Sequence, residues 1–235
     1  MGHYGYVRLV LPVFHWGFFK HTVAILQVIC KTCASVLLDD TSKRKFLRSF
    51  RRPNLENLQR TATFKQVNTA ARKVLYCPKC GALNGVVKKA GTLKVIHEKF
   101  RQKKLAGERE EFFRTFSTAI KLSQSQTASA DIRPHLHKAQ EDLDPLKVLD
   151  LFRRISDDDC ELLGLRPEHG RPEEYIWQYI VVPPTCIRPT VEQDGATNDD
   201  DLTTKLGEVI STNTLLKAGL RRDGRPQATS QLMDQ

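Results

Sequence analysis

The chain has 235 residues, 40% of them hydrophobic and 8% aromatic, which is enough apolar material for one large or two small domains and excludes a chain disordered throughout. The formal net charge of +10 is uneven: residues 1–100 carry 18 basic and 4 acidic side chains, whereas residues 101–235 carry 19 and 23. An excess confined to the first hundred residues is more than solubility requires and turns one end of the molecule toward a polyanion, nucleic acid being the first candidate.

The most apolar N-terminal stretch, Leu9 to Cys30, is interrupted by Pro12, His15, Lys20 and His21, so it reads neither as a membrane span nor as a signal peptide. The opening Met-Gly lacks a myristoylation signal because Tyr6 stands where Ser or Thr is needed. The expectation is a soluble, intracellular chain with no membrane partner.

In chain order, Tyr6 to Val13 reads as a strand. Val23, Ile25, Leu26, Val28 and Ile29 then read as a short buried helical segment that runs into Cys30. Four of the six cysteines form two Cys-x-x-Cys pairs, Cys30/Cys33 and Cys77/Cys80, with 43 residues between the pairs. Two such knuckles supply four thiolates, the tetrahedral set that structural Zn2+ takes. Pro78 presets the second knuckle, Gly81 can take the positive φ that follows it, and Lys31 and Lys79 favour the thiolate form. Disulfides, buried free thiols or a redox pair are the alternatives. The missing secretion signal argues against disulfides, and the presence of two pairs argues against a redox site. Cys160 and Cys186 stand alone and read as core residues.

Between the knuckles, Asp40-Thr41 can cap a helix running to Arg52 and ended by Pro53. Phe46, Leu47 and Phe50 occupy one side of it, with Lys43, Arg44, Lys45, Arg48, Arg51 and Arg52 around the rest. Asn54 to Leu75 reads as a second basic helix or helix-loop. Val86 to Phe100 reads as an extended segment rich in lysine, with Lys88, Lys89, Lys94 and Lys99. Glu110 to Leu122 places Phe112, Phe113, Phe116 and Ile120 at helical spacing, an aromatic stripe expected in the core. Ser123 to Ala130 reads as a linker and the domain boundary.

Asp144-Pro145 caps a helix with Leu146, Leu149, Phe152 and Ile155 as its stripe, and Ser156 caps a shorter one. Asp157, Asp158 and Asp159 suit the positive end of that helix, since consecutive carboxylates point about 100° apart and do not converge on a metal. Asp199, Asp200 and Asp201 likewise start the last long helix. Between these helices, Val181 to Thr190 is stiffened by three prolines into an extended segment, and residues 191–198 form a polar loop. The fold class read from these elements is α+β, mainly helical.

Five strings in this order carry a family resemblance: Gly2-His3-Tyr4-Gly5-Tyr6, Ile29-Cys30-Lys31-Thr32-Cys33, Cys77-Pro78-Lys79-Cys80-Gly81, Asp144-Pro145-Leu146-Lys147-Val148-Leu149 and Val182-Pro183-Pro184-Thr185-Cys186-Ile187-Arg188-Pro189. Together they resemble the N-terminal clamp region of the largest subunit of multisubunit DNA-directed RNA polymerases. Gly81 to Lys89, with Ile96-His97-Glu98-Lys99 after it, is most similar to the RNA polymerase III version.

The resemblance implies a zinc-pinned clamp core and head region of a larger subunit. It divides the chain into a basic zinc-binding region, 1–122, a helical region with a proline-rich segment and a lid-like loop, 131–222, and a tail, 223–235. Cys30, Cys33, Cys77 and Cys80 would hold one structural zinc. His3 would be the last ligand of a second zinc whose three cysteines precede it in the family, which makes the chain a fragment. Arg188, Pro189 and Thr190 would meet nucleic acid near a lid spanning Thr190 to Asn198, and Lys88 and Lys89 would add further contacts.

The family's catalytic Asp-x-Asp-x-Asp loop, which holds Mg2+, does not occur in these 235 residues. The chain is therefore expected to be inert alone, a nuclear component of an enzyme with DNA, the RNA–DNA hybrid and other polymerase subunits as partners, and with Mg2+ only in the full enzyme. The alternative is a stand-alone zinc-stabilised nucleic-acid-binding module.

Overall fold

The computed structural model describes residues 2–100, 106–122, 140–193 and 196–222. Backbone contacts divide the chain into two compact units, Phe14–Ile176 and a second that joins Met1–Val13 to Trp177–Gln235. The fold is α+β and mainly helical, with small sheets. No helix among the described residues is long and apolar enough to cross a membrane.

Among the described residues, the buried hydrophobic core lies in the Phe14–Ile176 unit, with Leu26, Ile29, Leu37, Val148, Phe152 and Leu162 essentially inaccessible. Its helices are α1 (Phe19–Leu26), α2 (Asp40–Phe50), α3 (Asn57–Ala71), α4 (Ala106–Leu122), α5 (Pro145–Arg153) and α6 (Asp157–Leu162). Three of these start on side-chain caps that satisfy otherwise orphaned N–H groups. Asp39 accepts from the Ser42 N–H at 3.2 Å, Asp144 from Lys147 at 2.7 Å with Pro145 opening the helix, and Ser156 from Asp159 at 3.3 Å. The cap of α2 is Asp39, one residue before the expected pair, and α2 ends at Phe50 with Arg51 as its C-cap.

The segment expected as one extended stretch from Val86 to Phe100 is a hairpin, β2 (Val86–Ala90) and β3 (Lys94–Glu98), joined by a turn in which Gly91 takes φ +72°. A third strand, β4 (Gln140–Asp142), pairs antiparallel to β3, placing Ile96 opposite Asp142. Just before β2, Gly85 lets its backbone pack directly on the hairpin. A Cβ there would collide with the Glu98 carbonyl oxygen and lie 2.7 Å from His97 Nε2. Gly85→Ala is therefore expected to cost about 2–3 kcal/mol, because backbone cannot yield as a side chain can; urea unfolding with an unchanged slope checks it.

Helix α5 buries Val148, Leu149, Leu151 and Phe152, and Ile155 follows it into the core. Leu146, placed in the stripe by spacing, is 55% exposed because it sits in the first turn, before the helix reaches the core. On α4, Phe112 and Phe113 are half-buried and outside the core; the Phe112 ring meets that of Phe100 at a tilt, with centroids 5.2 Å apart. The side chains of Phe116 and Ile120, the linker Ser123–Ala130 and the tail 223–235 lie outside the described residues.

In the other unit, β1 (Gly5–Phe14) pairs with β5 (Ile176–Val182). The final helix, α7 (Asp201–Arg222), clips the β1 backbone through one side chain: Asn213 Oδ1 accepts from Val10 N–H at 2.8 Å and its amide donates to Arg8 O at 3.0 Å. The stretch 191–198, read as loop, forms the short pair β6 (Val191–Gln193) and β7 (Ala196–Asn198). The proline-rich segment is not extended throughout, since Thr185–Ile187 closes into a 3-10 turn. Cys186 lies in that turn and is exposed, which corrects its reading as a core residue; Cys160 is fully buried as expected.

Candidate metal centre

The two Cys-x-x-Cys knuckles fold alike, offset for offset. The N–H of Cys30 bonds to Ser35 O and that of Ala34 to Cys30 O; the N–H of Cys77 bonds to Ala82 O and that of Gly81 to Cys77 O. Each knuckle is closed by an isolated bridge, Ile29 with Val36 and Tyr76 with Leu83. The residue after the second cysteine takes a left-handed turn in both, Ala34 at φ 60° and Gly81 at φ 69°. Such a turn folds the chain back over its own thiolates. Glycine takes it freely, and the buried Ala34 takes it at a cost that its packing offsets.

Four sulfurs converge as a result. Cys30 Sγ lies 3.6 Å from Cys80 Sγ, Cys33 Sγ lies 3.6 Å from Cys77 Sγ, and all four fall within 4.8 Å of one another. A disulfide needs about 2.05 Å, so these are not bonded pairs. A tetrahedron of metal–thiolate bonds of about 2.3 Å has an edge of about 3.8 Å, which the paired distances match closely. The donor set and its shape therefore fit one thiolate-bound ion. Among the described residues this is the one cluster of three or more potential ligands that could hold a metal.

The thiols are unequal. Burial alone would raise Cys30, but the N–H groups of Cys33 and Thr32, helped by the neighbouring thiols, bring it down to about 7, whereas burial pushes Cys33 up to about 12. Cys30 is thus the readier thiolate near neutral pH, and an ion that replaces the remaining protons would draw in the rest.

Packing around the knuckles is polar and dense. Lys31 Nζ donates to Asn84 Oδ1 at 2.9 Å, and the Asn84 amide donates to Val74 O at 2.9 Å, so the base of one knuckle is tied to the other. Burial brings the Lys31 ammonium down to about 8, opposed by Cys30. Arg154 donates to Thr32 O at 2.9 Å. From α6, the buried Asp159 accepts from Val36 N–H at 3.1 Å and pairs with Lys43 at 2.9 Å, and Lys43 also donates to Ser35 Oγ at 2.8 Å. Asp159, read as a cap residue, is therefore a support of the first knuckle. The spacing of the sequence carries no signal of that partnership across 116 residues.

His97 on β3 is buried, with Nε2 accepting from Gly85 N–H at 3.2 Å and Nδ1 3.8 Å from Glu141. Burial, with Lys31 and Lys99 adding and Glu141 opposing, lowers it from 6.5 to about 4. The unfolded chain then binds the proton more tightly, so the stability that neutral His97 confers is complete above about pH 6.5 and is lost as pH falls toward 4, by about 3 kcal/mol. His97→Gln is expected to shallow the fall in thermal midpoint between pH 7 and 4.5 relative to the parent chain.

With the fold and the cluster established, comparison places the chain among known proteins. The model for "RNA polymerase Rpb1, domain 1" matches residues 1–233. The chain belongs to that family. The DNA-directed RNA polymerase III subunit rpc1 of Schizosaccharomyces pombe is 52% identical over 236 residues, covering 100% of this chain and 16% of that protein. The Homo sapiens polymerase III subunit RPC1 is 44% identical over 221 residues, 92% of this chain and 16% of that protein. The polymerase subunit Rpo1N of Methanocaldococcus jannaschii is 27% identical over 220 residues, 93% of this chain and 14% of that protein. The chain thus spans 14–16% of the length of these curated relatives.

In this Rpb1 domain 1, the remaining residues singled out by sequence fall in both compact units. Lys88 lies 2.8 Å from Glu98, and the Lys89 ammonium sits 5.5 Å over the Phe19 ring. In the other unit, Arg188 is half-buried and donates to Pro183 O at 3.0 Å and Thr203 Oγ1 at 2.9 Å, while Pro189 and Thr190 are exposed. His3 is exposed and joins no ligand cluster among the described residues.

Proposed function

We propose that this chain is the clamp-forming region of the largest subunit of nuclear DNA-directed RNA polymerase III, with a structural zinc held by Cys30, Cys33, Cys77 and Cys80. The observation that carries the reading is the 52% and 44% identity, over nearly all of the chain, to subunits named for polymerase III, against 27% to the archaeal subunit. Its work is mechanical and electrostatic: the zinc fixes the basic region, 1–122, which faces DNA and the RNA–DNA hybrid through sequence-independent phosphate contacts. Lys88 and Lys89 contribute to that surface. In the helical region, 131–222, Arg188, Pro189 and Thr190 lead into the lid-like loop, and the internal bonds of Arg188 fix its side chain while leaving guanidinium donors for a phosphate.

Nucleotidyl transfer and its Mg2+ belong to the whole enzyme, and this chain alone is inert. His3 contributes to a second zinc only if ligands come from outside the chain. A tag on this protein in its own cells is expected to bring down a multisubunit complex that extends RNA on a nicked template. Recovery of the tagged protein free of polymerase subunits would instead favour a stand-alone zinc-stabilised nucleic-acid-binding module.

A further inference from the structure

We propose that the cleft between the C-terminal end of α2, the first turns of α3 and the loop that leaves α6 is an anchor site for one acidic side chain, aspartate or glutamate, of a polypeptide partner. The inference goes beyond the clamp reading and does not depend on it.

A helix ending builds the cleft. Helix α6 closes in a Schellman arrangement, with Gly164 N–H donating to Glu161 O at 2.9 Å and Leu165 N–H to Cys160 O at 3.1 Å. Gly164 takes φ +79°, which a residue with a Cβ rarely adopts. A Cβ at 164 would lie 3.8 Å from Arg60 Cγ and 3.9 Å from the Phe50 ring, so the loop runs close against both. The resulting cleft has a volume of about 140 Å3. Phe50, Leu165 and Pro167 are its apolar walls, and Arg60, Arg166, Glu161 and Glu168 complete it.

Arg60 is the feature that calls for an occupant. Its guanidinium carbon stands 5.9 Å from the centre of the Phe50 ring, which orients the fork. Its Nε is buried and has no hydrogen-bond partner among the described residues. A buried donor without an acceptor is destabilising, and this cation also lies near the positive end of α3, whose first turn holds no acid. The acids lining the cleft do not relieve it. Glu161 accepts from Arg51 at 2.7 and 3.1 Å, and neither Arg60 nor Arg166 has a carboxylate partner among the described residues.

Size and charge select the ligand. Pockets for free small molecules measure about 300–1,000 Å3, whereas a cavity of about 150 Å3 takes a ligand the size of benzene. The cleft therefore suits a single side chain whose backbone stays outside, beside the exposed Arg166 and Glu168. With Glu161 engaged by Arg51, two arginines face one remaining carboxylate, an excess that a single negative charge matches. A phosphate group carries about −1.5 to −2 and would add repulsion from Glu168. The guanidinium fork can donate to both oxygens of a carboxylate, and the apolar walls cover the methylenes that carry it.

The test follows the Arg60 Nε–H resonance of the zinc-loaded full chain by NMR, with acetate and propionate as probes because they reproduce the two acidic side chains. Saturable binding is expected, about two- to fourfold tighter for propionate, whose extra methylene lies against the walls. R60K keeps the charge but loses the fork, and is expected to weaken propionate binding about fivefold or more, read at Leu165 N–H. R166Q, at the exposed rim, is expected to weaken it about two- to threefold, and it decides the matter should R60K fail to fold by circular dichroism. The absence of a saturable shift, unchanged affinity in the folded variants, or tighter binding of inorganic phosphate than of propionate would each overturn the site. The source of the carboxylate is read in the assembly purified through a tag, using photoreactive Glu168→benzoylphenylalanine. Capture of a segment bearing Asp or Glu at the cross-linked site, with its yield lowered about fivefold by R60K, is expected. No captured polypeptide, or capture indifferent to R60K, would overturn a polypeptide as the occupant.

Discussion

Replacing Cys77 and Cys80 together by serine is expected to release the ion and unfold the knuckles along with the helices packed on them. Structural zinc in small thiolate sites contributes an apparent binding free energy of about 10–16 kcal/mol, and a domain's whole stability is about 5–15 kcal/mol. Losing half the ligands therefore removes more than packing can replace. Cys77 and Cys30 are buried, so their thiols have no solvent to turn to. Far-UV circular dichroism should lose helicity and elemental analysis should find no zinc. Native helicity with one bound zinc in the double variant would contradict the assignment.

Lys43→Met should be the most damaging substitution among the basic residues of α2, although Lys43 differs from its basic neighbours in nothing but position. It strands Asp159, whose side chain is 8% exposed, without its cation. Removing one partner of a buried pair typically costs about 3–5 kcal/mol; because Lys43 keeps some contact with water, about 3 kcal/mol is expected here. That corresponds to a fall of roughly 6–12 °C in thermal midpoint. Adding Asp159→Asn should recover about half the loss, because the amide carries no charge and its oxygen can still accept from Val36 N–H. Arg44→Gln, on the solvent face, should shift the midpoint by less than 2 °C, since exposed charges contribute little to stability. Equal effects from Lys43→Met and Arg44→Gln would show that the Lys43–Asp159 contact carries no weight.

That contrast shows where sequence reasoning works and where it stops. The paired cysteines were legible because metal chemistry fixes both residue type and local spacing, so Cys30/Cys33 and Cys77/Cys80 announce the site across an intervening 43 residues. The caps at Asp144 and Ser156 were legible because an N-cap is satisfied within three residues. What depends on distant partners was not. Asp159 looks like a first-turn acid and is also the counter-ion of Lys43 and the acceptor for Val36, a role set by how α6 meets α2. Leu146 fits a helical stripe, and Cys186 has the residue type most often buried, yet both lie at surfaces that only the three-dimensional fold defines. The hairpin within 86–100 turns on Gly91, and a lone glycine in a lysine-rich extended stretch does not by itself mark a turn; the positive φ appears only once the two strands pair. His97 carried no marker of its own, since its burial is imposed by Gly85 and the β3 pairing.

The most direct test of the central claim is X-ray absorption at the zinc edge of the purified chain, combined with metal quantitation. One zinc per chain with four sulfur neighbours at about 2.3 Å is the predicted result. A substoichiometric metal content after zinc-replete purification, or a shell containing nitrogen or oxygen in place of sulfur, would contradict it.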